Sequence, residues 1–235
     1  MIVTIVIVQT IVFGLFVISE RTFPARSLSV VPHWEWWWWT LGAFALVWLQ
    51  VLWLAWVSAP GVGVELPTSL SGGLIFYLAY SFGNYWFHRI KHRVPWMWRC
   101  FHKLHHAPTH METRIAFFRH PLEMAVNSIY LLILGKLIFN APIEVVAFAI
   151  TLEGCLECYH HSNLRTPGWL RPIGYLVQIP EMHLVHHQRG LHRYNYGTML
   201  WDTVFGTVRV PREWHRDLGF ANSNRMMDIF RVKNC

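Results

Sequence analysis

Eight histidines stand at helical spacing in three short stretches: HRIKH (His88, His92), HKLHH (His102, His105, His106) and HLVHH (His183, His186, His187). Residues three and four apart share a helix face, so each set is predicted to project from one side of a helix. A histidine ligand offers one neutral ring nitrogen to a metal, while the other nitrogen donates to a carboxylate or carbonyl that fixes the tautomer. Several rings converging are therefore what a metal site requires. A further pair, His160 and His161, closes an apolar run, and thirteen of the fifteen histidines fall between His88 and His192. One ion takes about four to six ligands, so eight to ten imidazoles imply two ions. Imidazole suits zinc, copper, iron and nickel alike, and spacing does not choose among them.

The elements that must position these rings are apolar. Of 235 residues 54% are hydrophobic and 14% charged, against about 25% charged in a typical soluble domain. The composition is that of an all-α membrane protein. Four to five transmembrane or partly penetrating helices are predicted, over residues 2–18, 38–57, 70–87, 124–139 and 143–158. The last two are short for a full crossing of about 20 residues. The first has neither a basic leader nor a cleavage site and is expected to be retained. The tryptophans at 34 and 36–39 mark a membrane boundary, where an indole keeps its N–H wet. The net charge of +7 arises from basic residues spread between apolar runs, which argues for topology and against nucleic-acid binding. Lysines and arginines concentrate around 20–35, 89–119 and 163–235. This places the N-terminus outside and every histidine cluster on the cytosolic side, held in a helical cap. Lys136 is the exception and can snorkel to the headgroups.

Among other groups, Glu153 and Glu157 are costly in an apolar run and so are functional suspects. Glu157 lies i, i+4 from His161 and could hydrogen-bond it. Asp202 is either a carboxylate that orients a ligand imidazole or a helix cap. Cys155 and Cys158 read as packing. The four cysteines are too few and scattered for a disulfide framework and fit a reducing side. Phe76, Tyr77, Tyr80 and Trp86 are expected to line a substrate channel.

The order and spacing of HRIKH, HKLHH, RHPLE (119–123), HHSN (160–163), HLVHH and the closing NYGTMLWDTVFGT (195–207) resemble the fatty acid hydroxylase and sterol desaturase superfamily of integral-membrane, histidine-rich diiron oxygenases, over roughly residues 75–210. The resemblance implies two iron ions, with O2 as co-substrate, hydroxylating or desaturating a lipid C–H bond. Implied ligands are His88, His92, His102, His105, His106, His161, His183, His186 and His187, with His160 the least certain. His110, His120 and His192 are supporting or surface candidates. The expected organisation is a transmembrane hairpin over 1–69, a catalytic domain over 70–210 and a cytosolic tail over 211–235. No haem-binding His-Pro-Gly-Gly signature of a fused cytochrome b5 is present. Electrons are expected from a separate cytochrome b5-like protein or a ferredoxin and its reductase. A bacterial inner membrane is favoured, with endoplasmic reticulum the other option. The alternative from a different class is a metal-ion transporter or a metal-binding protein without redox chemistry. Its sites would lie at mid-bilayer on interrupted helices, whereas these clusters begin where the apolar runs end.

Overall fold

The computed structural model describes residues 2–27, 41–42, 45, 61–210, 217–223 and 226–231. The tryptophan run and all but three residues of the expected second span lie outside them.

The described chain is mostly helical, as expected. Helix α1 (Ile2–Thr22) has no acidic residue in its first turn and ends on Arg21. Helix α2 (Leu70–Arg93) starts at Ser69, whose Oγ accepts from the Gly72 N–H at 3.3 Å. It stops where Val94 precedes Pro95, because a residue before proline is pushed out of the α region. A short helical segment, Pro95–Met97, leads into a π-helical turn, Trp98–His102. Helix α3 (Pro121–Leu132) opens on a proline at its first position, where no N–H is missed, and continues as a π-helical stretch to Ile138. Pro142 starts α4 (Ile143–His161). Helices α5 (Pro180–His187), α6 (Met199–Val204) and α7 (Met226–Phe230) follow. Two residues of β1 (Val64–Glu65) pair in parallel with β2 (Phe139–Asn140). Among the described residues, Pro121–Ile138 is long and apolar enough to cross a membrane by length and composition.

Helices α2, α3 and α4 form the main apolar core, where Phe76, Leu131, Leu134, Val145, Val146 and Ala149 interlock. Helix α1 packs on α4 and is pinned by polar contacts at its middle and its C-terminal end. Gln9 Nε2 donates to the Ile150 carbonyl at 3.3 Å. The buried Glu20 carboxylate accepts from Thr113 N, Thr113 Oγ1 and Asn163 N, each at 2.9 Å. The outward face of α1 is instead apolar, with Val3, Ile7, Ile11, Leu15 and Ile18 all at least half exposed. Cys155 and Cys158 carry free thiols.

One close approach fixes how α2 and α3 meet. Tyr130 donates to the Tyr80 carbonyl at 2.9 Å, and a Cβ placed on Gly83 would lie 2.2 Å from that hydroxyl. Gly83→Ala is therefore expected to destabilise the protein by about 1–3 kcal/mol through overpacking. Gly14→Ala, in α1 with nothing within 4 Å of the new methyl, is expected to stabilise it by about 0.5–1 kcal/mol. Thermal melting of the two variants in one detergent checks both signs.

Candidate metal centre

The structure gathers nine histidines into two adjoining clusters. His88 and His92 from α2, His102 from the π-helical turn, His106 just after it, and His186 from α5 bring their ligand atoms within 4.8 Å of one another. His105, His161 at the end of α4, and His183 and His187 from α5 form the second group by the same measure. The clusters touch where the His106 and His187 rings stack at 4.2 Å.

Each HxxHH motif is thus divided, not spent on one face. Positions i and i+4 lie about 40° apart around a helix, whereas i+3 and i+4 differ by about 100°. So His183 and His187 face one cluster and His186 the other. His102 and His106 likewise part from His105, here on a π-helical turn closed by Lys103 N–H donating to the Trp98 carbonyl at 2.8 Å. Such turns recur at functional sites because they re-aim side chains.

Tautomers follow from the anchors. His88 Nδ1 donates to the Tyr196 carbonyl, His186 Nδ1 to Tyr194 at 2.8 Å, His105 Nδ1 to Phe118 at 3.3 Å and His161 Nδ1 to Glu157 at 2.9 Å. All four acceptors are main-chain carbonyls. His102 Nδ1 donates instead to the Glu123 carboxylate at 2.8 Å. A neutral ring that donates from Nδ1 carries a lone pair on Nε2. Yet His88 Nε2 lies 2.7 Å from His102 Nε2, 3.0 Å from His186 Nε2 and 3.1 Å from His92 Nε2. In the second cluster the His161 Nε2 atom is 3.3 Å from His105 Nε2 and 2.9 Å from His183 Nε2. Acceptors do not hydrogen-bond acceptors, so these lone pairs need a cation among them. Nitrogens at about 2.1 Å from one ion and at right angles to each other stand about 3.0 Å apart, which is the spacing found. The donor set therefore fits two metal ions.

Electrostatics agree. Burial and the nearness of other imidazoles hold His88, His92, His105, His106, His161, His183, His186 and His187 well below the ordinary histidine range. Burial brings His102 down to about 4 although Glu123 opposes it. Neutral rings are the form a metal takes.

The remaining expected residues sit as follows. His160 stands apart from the four converging rings, in a group with Glu157 and His161, its Nε2 3.4 Å from the Glu157 carboxylate. Glu157 pairs with Arg119 at 2.7 Å and meets His161 through its carbonyl. Asp202 touches no imidazole. It accepts from Tyr196 N at 3.0 Å, Gly197 N at 3.1 Å and Thr207 Oγ1 at 2.6 Å, and so holds the loop whose Tyr196 carbonyl orients His88. His120 caps α3, accepting from Leu122 N. His110 hydrogen-bonds Glu112 at 2.7 Å. His192 donates to the His186 carbonyl at 2.8 Å.

Sequence reasoning missed Glu123. Fully buried, it accepts from Lys91 Nζ at 2.6 Å as well as from His102. Its signal was a carboxylate at the head of an apolar run, the same signal that marked Glu153.

A small cavity borders both clusters and is lined by Tyr77, Asn84, Arg119, Glu153 and Glu157 besides the imidazoles. A second, roomier one opens outward between Tyr80, Phe117, Met124, Leu131 and Ile150. Of the four aromatic residues expected to line a substrate channel, Tyr77 borders the first cavity and Tyr80 the second. Phe76 is in the core, and Trp86 packs on Phe82, Tyr85 and Phe205.

Asp202→Ala should release the Tyr196 loop. Its expected result is about a 10–100-fold weaker hold on metal at the His88 cluster, with the His105 cluster unchanged, read by metal titration.

A helical fold that gathers nine imidazoles, eight of them buried, into two clusters of facing lone pairs defines a histidine-rich protein able to bind metal. The chain belongs to the fatty acid hydroxylase family, whose model matches residues 73–207, more than half of the sequence. It is 30% identical over 143 residues to alkylglycerol monooxygenase of Homo sapiens, covering 58% of this chain and 30% of that protein. It is 27% identical over 146 residues to the Delta(7)-sterol-C5(6)-desaturase of Nicotiana tabacum, covering 59% and 50%. With a cholesterol 25-hydroxylase-like protein of Danio rerio it shares 29% identity over 165 residues, covering 68% and 62%. The chain spans about a third of the length of the alkylglycerol monooxygenases it matches. No solved structure matches it significantly.

Proposed function

We propose that the protein is a membrane-bound diiron oxygenase that hydroxylates, or desaturates, a C–H bond of a lipid. The observation that carries the reading is the pair of clusters in which Nε2 lone pairs meet with every identified donor turned away. His88, His92, His102, His106 and His186 would hold one iron, and His105, His161, His183 and His187 the other, with His160 beside them. When bound, the irons supply the redox chemistry of O2 activation that no side chain can provide. The relatives' names, a monooxygenase, a desaturase and a hydroxylase-like protein, support a lipid substrate and an oxidative reaction.

The chain's own residues supply orientation and exclusion of water. Main-chain carbonyls and Glu123 fix the rings, and the buried walls keep the site dry. The outward apolar stripe of α1, set against its inward Gln9 and Glu20, is the polarity a bilayer favours. It supports a membrane-embedded protein, and the basic stretches around 89–119 and 163–235 favour a cytosolic face for the site, in a bacterial inner membrane or the endoplasmic reticulum. Hydroxylation consumes O2, two electrons and two protons and returns one water. The electrons would come from a separate cytochrome b5-like or ferredoxin partner.

Protein purified anaerobically from iron-supplied cells is expected to hold about two irons, as nine imidazoles at four to six ligands per ion allow. Supplied with reductant and O2, it should yield a lipid with an added hydroxyl or double bond. One zinc per chain, or an unchanged lipid pool, would overturn the reading.

A further inference from the structure

The 3-10 helical segment Gly168–Tyr175 lies outside both the metal centre and the α2–α4 core, and it turns large apolar groups outward. With three residues per turn, Trp169, Pro172 and Tyr175 share one face. Trp169 is 81% exposed, and Ile173, Tyr175 and Leu176 are exposed beside it. The segment is seated on α6, where the Tyr175 carbonyl accepts from Thr203 Oγ1 at 2.9 Å and the Leu176 carbonyl from the Leu200 N–H at 3.2 Å. Val204 and Phe205, at the end of α6, are exposed as well. The Phe205 ring lies 5.0 Å from that of Trp86 and 6.2 Å from that of Phe82. Phe82 in turn belongs to the outward face of α2, with Leu78 and Leu74 exposed at successive steps of four residues. The apolar surface of α2 thus runs on into the cap.

Its charge has one sign. From Asn163 to Pro180 the charged residues are Arg165 and Arg171, both exposed, with no acid among them. In a pairing of two copies about a twofold axis this patch would meet itself, and its arginines would find no carboxylate. Exposed Trp and Tyr rings flanked by arginines match instead the headgroup level of a bilayer.

Resting on the membrane-embedded reading above, and on none of its chemistry, we infer that the stretch from Gly168 to Leu176 lies in the bilayer interface and binds anionic phospholipid. Trp169, Ile173 and Leu176 enter the leaflet that surrounds α2, and Arg165 and Arg171 meet its phosphates. The cap is then held on the membrane by its own surface as well as by the spans.

The test places the photo-crosslinking residue p-benzoylphenylalanine singly at positions 78, 169, 176 and 189 of the full chain in nanodiscs of mixed phosphatidylcholine and phosphatidylglycerol, and reads the adducts by mass spectrometry. Position 78, on α2, and positions 169 and 176 are expected to form lipid adducts, and position 189, exposed elsewhere on the cap, to form none. The ratio of phosphatidylglycerol to phosphatidylcholine adducts at 169 should fall by about fivefold for each of Arg165→Gln and Arg171→Gln, the worth of one basic residue at an anionic surface. Arg189→Gln should leave it unchanged. Lipid adducts at 78 but at neither 169 nor 176 overturn the inference and leave the membrane reading standing; their absence from all three overturns both. Adducts joining two copies at 169 would show a second chain covering the patch and overturn the inference, as would lipid adducts at 189 equal to those at 169 or a ratio indifferent to both arginines. If the protein labelled at 169 does not fold, the one labelled at 176 decides.

Discussion

His186→Ala is expected to take the protein from about two metal ions per chain to about one, His105→Ala to do the same, and the double variant to hold none. The two histidines belong to different clusters, so each variant spoils one set of ligands and leaves the other complete. His186 approaches His88 at 3.0 Å in the first cluster, and His105 approaches His161 at 3.3 Å in the second. Lipid oxidation should fall to background in all three, because the proposed chemistry needs both ions. Metal analysis on folded, monodisperse protein reads the result. If either single variant lost both ions, the nine rings would form one indivisible site; if metal were retained in the double variant, these clusters would not be where it binds.

Glu123→Ala is expected to be the most destabilising single change outside the histidines. Lys91 and Glu123 are buried almost completely and lie 2.6 Å apart. Removing one partner of a buried ion pair leaves the other's charge without compensation, at a cost of about 3–5 kcal/mol. It also frees His102 Nδ1, whose ring should then bind metal about 10–100-fold more weakly. Glu123→Gln keeps an acceptor for His102 while discarding the charge. Paired with Lys91→Met, it should recover most of the stability and metal affinity lost in Glu123→Gln alone. Thermal melting and metal titration across these variants separate the ion-pair contribution from the orienting one. Equal stability of wild type and Glu123→Ala would refute the account.

The helices over 70–87, 124–139 and 143–158 were legible because long apolar runs bounded by proline and polar turns leave little choice of conformation. Eight of the nine converging histidines were legible too, through their spacing, and His161 as one of the pair that closes an apolar run. What spacing did not carry was the division of each motif between two clusters, since that depends on how α2, α4 and α5 are rotated against one another. Nor did it carry the anchors. Tyr196, Tyr194 and Phe118 act through carbonyls that any residue possesses, so residue type says nothing. Asp202 was noticed for its charge, but its partners are backbone amides, and it reaches the site only through the Tyr196 loop.

That use of carbonyls bears on how the protein tolerates sequence change. A main-chain oxygen survives every point substitution, so the orientation of His88, His105, His161 and His186 is buffered against mutation at the anchoring positions themselves. His102 has no such protection, because its acceptor is a side chain. Under random mutagenesis, losses among the orienting groups should therefore concentrate at positions 123 and 202, where side chains do the holding. Position 194, only partly buried, should accept a wide range of residues, whereas Phe118 and Tyr196 are held by the packing of their buried rings rather than by their carbonyls.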